Sequence, residues 1–359
     1  MRLKPSMSDD TTTSRRKDAH LDLCATEEVA PAENSTLLDC VKLVHSAMPE
    51  LQLSDIELST RLFGKTLKAP ILITGMTGGS ERAGQVNRDL AEAAEACGVA
   101  FGVGSQRAMG ETPALAKTFA VRDVAPRTVI IGNIGLRQAA AMGIDKVRGI
   151  VDAIHADGLA LHLNPGQELT QPEGDRDFRG GYAMVGQLVK AFGERLLVKE
   201  TGCGISPDVA RRLVDLGVRT IDVSGLGGTS WVKVEQLRAS GELRELGQQF
   251  SSWGIPTAAA IATVRRAVGP GVTLISSGGI RTGLDVAKSL ALGADVGGMA
   301  LPMFRAQQTG GVEGVKKAIE LVVRGLQQAL LLTGSSSAAE LKKKPKVILG
   351  ELKEWLSAV

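Results

Sequence analysis

Two short stretches hold the side chains best suited to chemistry. His162-Leu163-Asn164-Pro165-Gly166-Gln167-Glu168 follows an apolar run and sets an imidazole, two amides and a carboxylate close together. Val198-Lys199-Glu200 ends a second apolar run in an ammonium and a carboxylate. A lysine at the end of a buried strand projects its charge into whatever mouth the strand faces, there to hold an anion or to pair with Glu168 or Glu200. Glu168 suits Mg²⁺, which takes one or two protein carboxylates and completes its shell with substrate phosphates. Glu173, Asp175 and Asp177 lie further along and read as a solvated acidic loop. Near the start, Arg16, Lys17 and His20 form a compact cationic cluster of the composition a lid over a diphosphate needs.

Such groups need a frame, and the sequence supplies a repeating one. Apolar runs begin at Ile71, Val99, Val129, Leu159, Leu196, Thr220, Val272 and Asp295, and helix-compatible stretches such as 87–96, 183–192 and 284–292 lie between them. Parallel strands with helical crossovers follow from that alternation, and eight is the number that closes a (β/α)8 TIM barrel. A doubly wound open sheet is the competing arrangement. In a barrel, function collects at the C-terminal strand ends. Those ends read Met76-Thr77-Gly78-Gly79, Gly104-Ser105-Gln106-Arg107, Asn133-Ile134-Gly135, the two stretches above, and Ser224-Gly225-Leu226-Gly227-Gly228-Thr229. The last two are Ser277-Gly278-Gly279-Ile280-Arg281 and Gly297-Gly298-Met299-Ala300. Glycines after the seventh and eighth strands let main-chain N–H groups approach a phosphate, and the next helix N-terminus adds partial positive charge. A phosphate-bearing cofactor is expected, and FMN in particular, because no complete G-x-G-x-x-G unit marks a dinucleotide fold. Lys199 would then lie beside the flavin pyrimidine ring and stabilise an anionic reduced form, with Thr77, Ser105 and Asn133 bonding the ring edge.

Composition narrows the classes. The 359 residues carry 42 Lys+Arg and 39 Asp+Glu, a net +3, with 43% hydrophobic and 23% charged residues. That is a globular chain with no global drive toward nucleic acid. Four scattered cysteines form neither a disulfide framework nor a zinc motif and suit a reducing compartment. No apolar run is long enough to span a membrane. Ser14-Arg15-Arg16-Lys17 imitates a twin-arginine export signal, but Asp18, His20 and Asp22 stand where its apolar region should begin, so a cytoplasmic protein is expected. The chain divides into a disordered 1–15, a lid and pre-barrel segment 16–68 with a helical pattern at Leu37, Leu38, Val41 and Val44, a barrel 69–335, and a docked helical tail 336–359 after the basic run Lys342–Lys346.

Taken together, these motifs resemble one family, the FMN-dependent type 2 isopentenyl-diphosphate isomerases. Arg16-Lys17-Asp18-Ala19-His20 is similar to its N-terminal motif, and the most specific stretches are Asn164 to Glu168 and Pro172-Glu173-Gly174-Asp175-Arg176-Asp177. The likeness runs in chain order from about residue 15 to 356. It implies interconversion of isopentenyl and dimethylallyl diphosphate by a 1,3 proton shift, using reduced FMN, NADPH as reductant, and Mg²⁺ on Glu168. Substrate contacts would fall on Arg16, Lys17, His20, Ser105, Gln106, Arg107 and Gln167, with His162, Asn164 and Gln167 nearest the chemistry. Flavin contacts would fall on Met76, Thr77, Gly78, Ser105, Asn133, Lys199, Ser224, Thr229, Gly278, Gly279 and Arg281, plus Ala300 and Leu301 at the phosphate. The resemblance also implies that flavin N5 gives and takes the proton while Gln167 relays or positions it, and that the protein is a homo-oligomer, a tetramer or octamer. Leu226 departs from an arginine common there, and Pro165-Gly166 replaces bulkier residues before Gln167. The alternatives are an FMN-dependent 2-hydroxy-acid oxidase, disfavoured because no histidine follows His162, and a non-catalytic flavin-binding barrel.

Overall fold

The computed structural model describes residues 7–31 and 35–359, with side chains from Lys17 onward. Eight short strands form the centre: β1 (Ile71–Ile73), β2 (Ala100–Gly102), β3 (Ile130–Gly135), β4 (Gly158–Leu163), β5 (Leu196–Glu200), β6 (Thr220–Asp222), β7 (Thr273–Ser276) and β8 (Val296–Met299). Each lies parallel to the next, and β8 returns to β1 through Gly297 opposite Ile71 and Met299 opposite Ile73, so the sheet is a closed barrel. All eight coincide with the apolar runs. Their continuous hydrophobicity reflects burial on both faces, by helices outside and by side chains within. The interior is filled by Leu72, Ala100, Ile131, Ala160, Leu197, Ile275 and Val296. A β-hairpin (Thr60–Leu62, Lys65–Leu67) adds Leu62 and Leu67, with Phe63 packed against them, and plugs the N-terminal end of the barrel.

Four helices bear on the strand-end rim or its supports: α1 (Met7–Thr26), α2 (Trp231–Arg238), α3 (Gly283–Ala291) and α4 (Leu301–Leu332), the last broken at Gly311 (φ +55°, ψ −147°). Residues 7–15 are therefore helical rather than irregular. Leu21 and Cys24 anchor the second half of α1 in the core, and once a helix is nucleated each added residue gains a hydrogen bond. Residues 1–6 lie outside the described part. The helical pattern expected from Leu37 is also not what forms. Leu38–Cys40 is a single 3₁₀ turn, and Val41–Leu43 is a strand paired antiparallel with Lys346–Ile348 of the tail, Val41 opposite Ile348. Four apolar residues at helical spacing fit a short strand as well, and a partner far along the chain decides the matter. In the tail, Lys342 of the basic run pairs with Asp295, and a last helix, Gly350–Ala358, buries Leu352.

α3 crosses α4 with its backbone in near contact. A Cβ on Gly283 would stand 2.1 Å from the Val322 carbonyl oxygen and 2.3 Å from the Leu326 nitrogen. Gly283→Val must push two helices apart and is expected to cost about 1–3 kcal/mol, the range for overpacked cores. Urea unfolding followed by circular dichroism measures it, and an unchanged midpoint would contradict this packing.

Candidate active site

The C-terminal rim opens into two contiguous cavities of about 970 and 1050 Å³, which share Gly75, Met76, Lys199, Thr201 and Trp231. Lys17 and His20 reach the first cavity from α1, and Ser105 and Arg107 reach it from the loop after β2. Asn133, His162, Asn164, Gln167, Glu168 and Lys199 complete its polar wall. Ser224, Thr229, Gly278, Gly279, Arg281, Ala300 and Leu301 line the second. Residues from all eight strand ends and from α1 thus converge, although they are spread over almost the whole sequence.

Strand register sets the centre of the site. His162 on β4 lies opposite Lys199 on β5, and Lys199 lies opposite Asp222 on β6. The Asn133 amide is oriented by its Nδ2, which donates to the Val103 carbonyl at 3.1 Å, so its Oδ1 faces His162 Nδ1 at 2.8 Å. Nδ1 therefore carries the proton of the neutral ring and leaves Nε2 as an acceptor. Burial, then Lys199 and Lys17, push His162 down to about 3. Lys199 donates to the Glu200 carbonyl at 2.6 Å. The Glu200 carboxylate turns away and accepts from the N–H groups of Thr201 and Gly202, both at 2.6 Å, and of Cys203. Burial nevertheless pushes Glu200 up to about 7.

Glu168 sits in the first turn of the short helix Pro165–Thr170 and is buried. Its Oε1 accepts from Asn164 Nδ2 at 3.0 Å and its Oε2 from the Asp175 N–H at 2.9 Å. Among the described residues no three His, Cys, Asp or Glu gather as a metal cage. A single buried carboxylate fits Mg²⁺, whose remaining ligands are substrate oxygens and water. The Gln167 amide is held at both ends: Oε1 accepts from Asn164 Nδ2 at 3.2 Å, and Nε2 donates to Glu235 Oε1 at 3.2 Å. Pro165-Gly166 thus opens a regular helical turn, and Gln167 faces the cavity.

Glu235 on α2 lies outside the strand-end motifs that the sequence singles out. Its carboxylate is fully buried, 3.0 Å from His20 Nε2 and paired with Arg238. Burial raises its pKa, but His20, Arg238 and Gln167 outweigh that and hold it below the usual carboxylate range. The spacing of Trp231, Glu235 and Arg238 on one helical face just past a glycine-rich strand end was the available signal. Asn87 is a second omission: its Nδ2 holds the carbonyls of Thr77 (3.2 Å) and Thr118 (2.9 Å) and so fixes the loop after β1.

Two expected contacts are not brought to the cavities. Gln106 is fully buried behind the wall; its amide donates to Ile150 O at 2.7 Å and accepts from the Asn133 N–H at 2.9 Å. Gly78 packs on Phe119, and a Cβ there would overlap the ring. The Arg16 backbone lies in α1, but its side chain is outside the described part.

The second cavity fits a flavin phosphate. Gly278 (φ +99°) brings its loop so close to Gly225 that a Cβ would stand 2.0 Å from that residue's carbonyl, so only glycine leaves the main chain bare here. Arg281 ties the loops together through the carbonyls of Gly279 and Gly227, each at 3.2 Å. The N-terminus of α4 at Ala300–Leu301 adds partial positive charge. In the wall of the first cavity, next to the shared Met76, Thr77 Oγ1 is buried with no hydrogen-bond partner, as expected where a ring edge supplies the missing group.

A closed parallel barrel that joins a glycine-walled anion pocket to a cation-rich chamber defines the FMN-dependent α/β barrel class. The family model for FMN-dependent dehydrogenase matches residues 10–157 and 168–347. Curated relatives are more specific. Isopentenyl-diphosphate delta-isomerase of Methanopyrus kandleri is 44% identical over 344 residues, covering 95% of this chain and 93% of that one. The isomerase of a Nostoc species is 42% identical over 340 residues, covering 94% and 97%. The chain belongs to the flavin-dependent, type 2 isopentenyl-diphosphate delta-isomerase family. Solved mandelate oxidase, for example with (S)-2-phenylpropionate, aligns with a TM-score of 0.65 at 18% identity over 96% of this chain and 99% of that one. That likeness shows the fold alone. The hydroxy-acid oxidase and non-catalytic alternatives are set aside. The wider family's match breaks off over 158–167, the span that holds His162, Asn164 and Gln167.

The neutral state of His162 is directly measurable. With a folded value near 3 against about 6.5 in the unfolded chain, its contribution to stability is complete above 6.5 and is lost as pH falls from 6.5 toward 3. In ¹⁵N-histidine spectra, His162 is expected to keep the Nδ1–H neutral pattern at pH 5, and an imidazolium there would contradict the geometry.

Proposed function

We propose that the first cavity binds isopentenyl or dimethylallyl diphosphate and interconverts them by a 1,3 proton shift over FMN, with Mg²⁺ on the diphosphate and NADPH as reductant. The carrying observation is that Lys17, His20, Arg107 and the Glu168 carboxylate share the wall of the first cavity, directly beside Met76 and Lys199 on the flavin side. Two cationic side chains and a carboxylate-held divalent cation are what a diphosphate requires. When bound, reduced FMN supplies the acid–base group for the allylic proton. Glu168 would hold Mg²⁺, which neutralises charge on the diphosphate.

The chain's own residues prepare the rest. Neutral His162 offers Nε2 as a hydrogen-bond acceptor and is not an acid for an alkene. Gln167, fixed between Asn164 and Glu235, presents a neutral dipole at a set angle. Lys17 Nζ lies 3.5 Å from the Ser105 carbonyl, which draws α1 across the opening. Lys199 adds the positive charge that favours an anionic ring. Binding energy from the diphosphate, remote from the reacting carbons, is spent on orientation. We also propose a homo-oligomer, tetramer or octamer, in the cytoplasm. The exposed Phe250 and Trp253, stacked edge-to-face at 5.8 Å, support a contact between copies.

The anaerobic assay with isopentenyl diphosphate, FMN, NADPH and Mg²⁺ tests this reading; product formation abolished by a chelator is expected, and no turnover with fully reduced flavin would defeat it. Lys17→Ala loses a charge-assisted contact of about 1.5–3 kcal/mol, so KM should rise roughly ten- to a hundredfold with kcat little changed. Glu168→Gln should raise the Mg²⁺ concentration needed for half-maximal rate. Lys199→Ala should retain FMN less tightly on gel filtration.

A further inference from the structure

α1 carries Lys17 and His20 to the first cavity, and α4 starts at the second. Arg305, in the second turn of α4, touches both elements. Its Nε donates to the Cys24 carbonyl at 3.1 Å and its Nη2 to the Glu27 carbonyl at 2.8 Å, while its side chain forms part of the second cavity's wall. Cys24 lies in the last turn of α1, where carbonyls lack an intrahelical N–H. A guanidinium there satisfies them and complements the negative end of the helix dipole. α1 has other polar ties: Lys17 reaches the Ser105 carbonyl at 3.5 Å, and His20 Nε2 lies 3.0 Å from the buried Glu235 carboxylate. Asp18 accepts from the Ser80 hydroxyl at 2.7 Å, and Asp22 pairs with Arg82 at 2.6 Å. Asp22 and Arg82 are exposed, and such pairs contribute little. None of these four partners lines the second cavity.

We propose that Arg305 is a positioning residue that couples the two cavities. An FMN phosphate beside Ala300 and Leu301 holds the guanidinium in the pose that closes the last turn of α1, and so holds Lys17 and His20 over the first cavity. The coupling rests on the reading of the second cavity as the phosphate end of an FMN site. It is reciprocal by linkage: a substrate that draws α1 down tightens FMN.

Hydrogen exchange across residues 17–27 of the full chain tests it. In the wild type, exchange should be about tenfold slower with FMN than with riboflavin, occupancy being checked by absorbance, and inorganic phosphate added to the riboflavin-loaded chain should restore part of the slowing. Arg305→Met should exchange fast and equally with either flavin, phosphate or not, and Arg305→Lys should lie between. Equal exchange with FMN and riboflavin in the wild type, or phosphate-dependent slowing that survives in Arg305→Met, overturns the coupling and leaves Arg305 a simple helix cap. With isopentenyl diphosphate, Arg305→Met should raise KM about tenfold while kcat stays within twofold; a fall in kcat at constant KM counts against the proposal. Absence of turnover in the wild type would instead defeat the substrate reading, and the exchange comparison would still decide the coupling.

Discussion

The bond pattern that seals β8 to β1, with Gly297 and Met299 opposite Ile71 and Ile73, is the contact on which everything else in the molecule rests. Ring closure leaves eight strand ends on one circle, and the parallel register then decides which side chains become neighbours. His162, Lys199 and Asp222 stand side by side because β4, β5 and β6 pair in that register. A slip of one residue would send each to the opposite face of the sheet. The same closure puts the glycine loops after β7 and β8 beside the loop after β1, though more than 200 residues of sequence separate them.

A rim of this kind concentrates charge in a place with little water, and the cost is met locally. Glu168, Glu200, Asp222 and Glu235 are all buried. Glu200 is answered by three consecutive main-chain N–H groups, whereas Asp222 is answered on Oδ1 alone, by Ser277 Oγ at 2.7 Å and the Ser224 N–H at 3.1 Å, so that its Oδ2 is buried without a partner and burial raises its pKa. Glu235 takes the Arg238 guanidinium, the His20 imidazole and the Gln167 amide. Buried carboxylates left without such donors would protonate or open the structure. The imidazole of His162 goes the other way: with two ammonium groups near and no acid beside it, it stays uncharged.

Much of this was readable from residue order. Each strand showed as an apolar run because both of its faces are covered, and each functional group showed as the polar residue that ends a run. The rule has a blind spot, which Gln106 illustrates. It ends a run like the others, yet its side chain turns inward to serve main-chain groups, and spacing alone does not report the turn. Glu235 was hidden for the opposite reason: it lies on a helix beyond the rim and reaches the site only because α2 folds back under α1. Val41–Leu43 misled because its partner strand is some 300 residues away. The span 158–167, where the wider family's match lapses, is also where the motif Asn164–Glu168 begins, so the divergence from other flavin barrels was visible as an unusual sequence before it was visible as an unusual site.

The hairpin at the far end of the barrel has a consequence for traffic. With Leu62, Phe63 and Leu67 stoppering that end, the rim is approached from the strand-end side, where α1 overhangs the first cavity. A ligand of the first cavity must then come and go on the side that α1 overhangs, so the seating of that one helix sets the traffic.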